Sequence, residues 1–195
     1  MRKSVCFCLL ICMLSVLAGC GGSVPAESTI ALDKKGKITD TIVEEFDKDF
    51  YDSEELQSEI ESELAEYNKN FAADHVTLKK FEVKDGTATL QLVFDGSEYY
   101  EDYMEMTLFT GTVAEARAEG YELTGELLGA DGAQTSLDSL DSADEAQVLI
   151  LETDETVQVQ TPGTILAVSA GGNVSVTGKK QAAVADGGLS YIIYK

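Results

Sequence analysis

Few residue types in this chain can do chemistry. His75 is the single histidine, against 35 Asp and Glu, so a zinc site built from several His cannot form. A lone imidazole can serve as a general base, but no Ser stands in a Gly-x-Ser-x-Gly turn. The four Cys fall at positions 6, 8, 12 and 20, which leaves no thiol nucleophile further along. His75 therefore reads as a loop histidine between a helix and a strand. Gly172 to Lys180 lacks the order of a phosphate loop, because Lys180 stands where Ser or Thr would have to follow Lys179. No catalytic residue and no cofactor is assigned.

Carboxylates and tyrosines remain. Two acids held about 5 to 10 Å apart could hydrolyse a glycosidic bond, but sequence cannot choose a pair among 35. The absence of Trp removes the best ring for stacking on sugars. Asp131, Asp138, Asp141 and Asp144 lie in a Gly-containing stretch and could gather oxygens around Ca²⁺, although they lack EF-hand order. Asp47, Asp49 and Asp52 lack it too, with Phe50 and Tyr51 intruding. Solvated loop acids are the simpler reading of both sets. Tyr99, Tyr100 and Tyr103, beside Glu98, Glu101 and Asp102, could bind a cationic or sugar-like ligand through ring faces and carboxylates. Packing of one or two of these Tyr in the core is the competing reading.

These residues must be positioned by a fold of the α+β class. Thr29–Leu32 and a strand from Ile38 suit a hairpin through Lys34, Lys35 and Gly36, with Leu32 opposite Ile38. The segment from Ile38 to Phe46 is ambiguous between helix and strand. Leu56, Ile60, Leu64, Tyr67 and Phe71 recur at helical spacing, which predicts one long amphipathic helix over about 53–69, capped by Asp52 with Glu55 three positions on. Asp85–Gly86 predicts a second hairpin, Val83 facing Ala88 and Phe81 facing Leu90. Apolar phase is then lost at Lys79–Lys80. A β-bulge there restores it, pairing Leu78 with Leu92 and Val76 with Phe94.

Ser97–Met106 reads as a short helix, and Thr112 with Glu115 caps another over about 113–119 that Gly120 ends. Residues 125–145 read as a long loop or a subdomain joint. Strands follow at 147–151, 156–160, 165–169, 174–177 and 189–194. Their short turns leave no room for crossover helices, so the expected pairing is antiparallel. The picture is an antiparallel sheet with helices in the first half and a strand-rich second half.

Charge narrows the partners. A net charge of −21 excludes nucleic acid, because phosphate binding needs clustered Lys and Arg. The first residues explain where such a chain works. Arg2 and Lys3 precede an apolar run from Val5 to Ala18 that is shorter than the about 20 residues of a membrane span, and small residues follow it. That is the pattern of a signal peptide. Leu17, Ala18, Gly19 and Cys20 resemble the lipobox of bacterial lipoproteins.

The resemblance implies cleavage before Cys20 and a diacylglycerol on its sulfur, with a further acyl chain such as palmitate on its amine. Two or more chains hold a protein stably on a bilayer. The expected organisation is a signal peptide over 1–19, a flexible tether over 20–28 and a single domain over 29–195. The implied location is the extracytoplasmic face of the cell membrane in the bacterial envelope. There the acidic body stands off from anionic lipid. The expected function is a non-enzymatic module for an envelope protein or small ligand. An envelope hydrolase and a calcium-dependent structural module are the alternatives.

Overall fold

A computed structural model describes residues 25–48, 52–123, 126–140 and 142–195. The signal peptide, the lipobox with Cys20, most of the tether, Asp49 and Asp141 lie outside the described residues. Strand β1 (Thr29–Leu32) turns into β2 (Ile38–Glu45) with Leu32 facing Ile38, and Gly36 takes the left-handed φ of 83° that the loop requires. The Ser28 carbonyl and hydroxyl already accept backbone N–H groups of Gln158 and Val43, so the sheet begins just before β1. The ambiguous segment from Ile38 is a strand because β1 and a later strand pair with it on both sides.

Helix α1 (Ser53–Asn68) starts at Asp52, whose carboxylate accepts the N–H groups of Glu54 and Glu55. At its far end Asn68 is buried and ties the helix to the next strand. Its amide oxygen accepts from the His75 and Val76 N–H groups and its amide nitrogen donates to the Val76 carbonyl. Strands β3 (Val76–Lys84) and β4 (Thr87–Phe94) pair over Asp85–Gly86. Pairing slips between Leu78 and Lys80, so the extra Lys79 keeps Leu78 against Leu92 and Val76 against Phe94.

Helix α2 (Ser97–Met104), strand β5 (Leu108–Thr112) and helix α3 (Val113–Ala118) follow, the last opened by the reciprocal Thr112–Glu115 capping box. The stretch expected to be a loop carries β6 (Leu127–Gly129) and β7 (Gln134–Thr135), too short to show a period of two. The chain ends in β8 (Gln147–Leu151), β9 (Val157–Gln160), β10 (Ile165–Ser169), β11 (Val174–Gly178), β12 (Gln181–Val184) and β13 (Ser190–Tyr194).

The α+β class holds, but the strands make two sheets where one was expected. One runs β11-β12-β9-β1-β2-β4-β3 and the other β5-β8-β13-β10-β6-β7. Strand β9 pairs with β1 in parallel, against the antiparallel expectation, because the connection between them is most of the chain and not a tight turn. The inner faces of the two sheets share one core, in which Ile38, Phe94, Leu149, Leu151 and Ile192 are almost fully buried. Strand β8 has no polar alternation because both its faces are covered. Leu149 and Leu151 point to that core, while Val148 and Ile150 join a second cluster with Val113 and Ala116 of α3.

Candidate functional site

Alternation along β2 places Ile38, Asp40, Ile42 and Glu44 on the inner face of the seven-stranded sheet. Register then sets Asp40 in an apolar row, between Ile30 of β1 and Leu92 of β4. Only 5% of Asp40 is exposed. Its carboxylate faces the Tyr100 hydroxyl and has no ion-pair partner among the described residues. Loss of hydration disfavours the charged form and pushes Asp40 up to about 7, with the Tyr100 hydroxyl opposing the rise. Burial, and then the Asp40 charge, push the Tyr100 hydroxyl far above its ordinary value.

Over this pair lies a cleft of about 800 Å³ between α1 and the sheet. Helix α1 is seated at its C-terminal end by Leu64 and Asn68, which are buried, whereas Leu56 and Ile60 remain half-exposed and form one wall. Ile42, Phe81 and Leu90 of the sheet form the opposite wall, and Met104 and Met106 close one side. The rim is acidic. It carries Glu44 and Glu45 from β2 and Asp52, Glu55 and Glu59 from α1. Asp154 and Glu155 join from the segment before β9, and no Lys or Arg is among the described lining residues. Burial, and then the charges of Glu155 and Glu45, raise Glu44 above the usual carboxylate range. Buried, pKa-shifted groups converging on an apolar cleft are the usual mark of a binding or reacting site.

Of the three tyrosines read from the sequence as one platform, Tyr100 is separated from Tyr99 and Tyr103, which both meet the Tyr67–Phe71 ring pair. Tyr100 lines the cleft. Tyr99 stacks flat on the His75 ring at 4.0 Å, and Tyr103 meets the Tyr67 ring edge-on at 5.1 Å. The carboxylate of Glu101 is occupied by the Leu108 N–H. His75 Nδ1 lies 3.3 Å from Asp95, which also holds Lys37 at 2.6 Å, a partly exposed polar chain outside the cleft.

Among the proposed calcium ligands, Asp131 accepts the Ala133 N–H within its own turn and Asp144 pairs with Arg117. Asp138 sits in a 3₁₀ turn (Leu137–Ser139). Among the described residues no three or more His, Cys, Asp or Glu converge as a metal site.

Sequence reasoning passed over Asp40. The signal that could have found it is the first hairpin: pairing Leu32 with Ile38 puts Asp40 opposite Ile30, on the apolar side. Comparison with family models, with characterised proteins and with solved structures finds no match to this chain. No described helix is long and apolar enough to cross a membrane.

Proposed function

We propose that the protein is a lipid-anchored, extracytoplasmic binding module that takes a small, largely apolar ligand between α1 and the seven-stranded sheet. The observation that carries this reading is the open apolar cleft of about 800 Å³, walled by Leu56, Ile60, Phe81 and Leu90. We read α1 as an amphipathic helix whose stripe is divided: Leu64 anchors it, and Leu56 and Ile60 are left for the ligand. The leader and Cys20 supply the anchor, and Ser28, where the tether ends, lines the same cleft.

The hydrolase reading draws on Glu44 and Glu155, which interact at the rim. The walls between that rim and Asp40 are apolar on both sides, and this lining is what favours binding.

Two measurements test the reading. Cys20→Ala is expected to move the protein from the membrane fraction to the soluble one, and unchanged partition would remove the anchor. In that soluble chain, a neutral fluorescent probe such as N-phenylnaphthylamine is expected to brighten on binding. Ile60→Glu, which places a charge on the cleft wall, is expected to weaken it by about tenfold or more. A probe that stays dark in the parent chain removes the cleft as a binding site.

A further inference from the structure

We infer that the cleft selects a cationic amphiphile, a primary amine on an apolar body, with its ammonium seated against Asp40. This rests on the binding reading above and adds the charge and chemistry of the ligand.

The first argument is the state of Asp40. An ionised carboxylate has about four acceptor sites, and Asp40 lies buried at the floor of the cavity with the Tyr100 hydroxyl beside it. A buried carboxylate is costly unless it is paired and hydrogen-bonded, and none of the described Lys, Arg or His pairs with it. An ammonium carries three donors and one positive charge, which fits what is lacking.

The second argument is the rim. Its carboxylates come from three separate elements, so a field of one sign surrounds the mouth. A cleft of that kind concentrates cations and repels anions, including fatty acids and the headgroups of anionic lipids. The third is the walls, which are apolar on both sides and include Met104 and Met106, side chains that adapt to irregular shapes. A volume of about 800 Å³ lies within the range of small-molecule sites. Charge at the floor, charge at the mouth and apolar surface between them describe an amphiphile with a positive head. A neutral lipid would leave Asp40 unpaired, and an anionic one would oppose every charge on the path.

Octylamine, octanol and octanoate share one chain length and differ in the head, so calorimetric titration of the Cys20→Ala chain with each separates the claims. The expected order is octylamine tightest, by about tenfold or more over octanol, with octanoate weakest. Asp40→Asn is expected to erase the preference for the amine, and octanol binding to the same variant reports that its cleft is intact. Equal binding of amine and alcohol, tighter binding of octanoate, or an amine preference that survives Asp40→Asn would each overturn the inference while leaving an apolar binding cleft in place. Failure of all three heads, together with a dark fluorescent probe, would instead remove the binding reading itself.

Discussion

At pH 8 the Asp40→Asn chain is expected to be more stable than the parent by up to about 4 kcal/mol, and by pH 4 that gain is expected to close. Asp40 titrates at about 7 in the folded chain, against an ordinary value of 3.8, because burial among Ile30 and Leu92 strips hydration from the anion. Unfolding lets the carboxyl ionise in water. Between about pH 4 and 7 the folded chain therefore holds one proton more than the unfolded chain, and stability falls as pH rises through that window. The contribution of Asp40 is whole below the unfolded value and is lost once pH passes the folded one. Asn keeps the shape and an oxygen beside the Tyr100 hydroxyl, and it never ionises.

Asp47, Glu82, Asp95 and Glu115 shift the other way, held low by Lys48, Lys80, Lys37 and the Thr112 N–H respectively. They are exposed and common to both chains, so they cancel in the difference. Urea unfolding at pH 4, 6 and 8 measures it. Parallel curves for parent and variant would show that Asp40 is hydrated in the folded chain and that the site lacks a buried charge. A residue that lowers stability at neutral pH while facing a cleft is what a binding site retains for function.

The second large effect separates core from cleft. Leu149→Ala is expected to cost about 3 to 5 kcal/mol, because Leu149 is fully buried in β8, between two paired strands and facing the core shared by both sheets. Little can collapse into the space it leaves. Leu56→Ala is expected to cost less than about 1 kcal/mol, since that side chain borders an open cleft and makes no new cavity. Its effect belongs to the apolar probe, whose affinity should drop. Equal losses of stability at the two positions would mean that the cleft is closed and packed in solution.

Several elements could be read without any structure, and all of them are local. The Leu32–Ile38 register, the Asp85–Gly86 turn, the bulge at Lys79 and the caps at Asp52 and Thr112 follow from side chains acting on backbone a few residues away. Short strands such as Leu127–Gly129 escaped because three residues carry no period. Tyr99, Tyr100 and Tyr103 could be seen as neighbours in sequence, but Tyr99 and Tyr103, four apart on one helix face, meet the Tyr67–Phe71 rings, while Tyr100, about 100° round from Tyr99, turns to the cleft.

What the sequence by itself determined is the two hairpin turns, the bulge at Lys79, the caps of α1 and α3, the acidity of the chain, and the N-terminal pattern on which the expectation of an anchor rests. Only the tertiary structure decided that there are two sheets, that β9 joins β1 in parallel, and that α1 is seated at one end and open at the other. It alone brought Tyr100 to Asp40 under the wall formed by Leu56 and Ile60. The physical reason is range: hydrogen bonds in caps and hairpins are closed within a few residues, whereas a buried carboxylate in a cleft exists only where segments distant in the chain have packed together and excluded water.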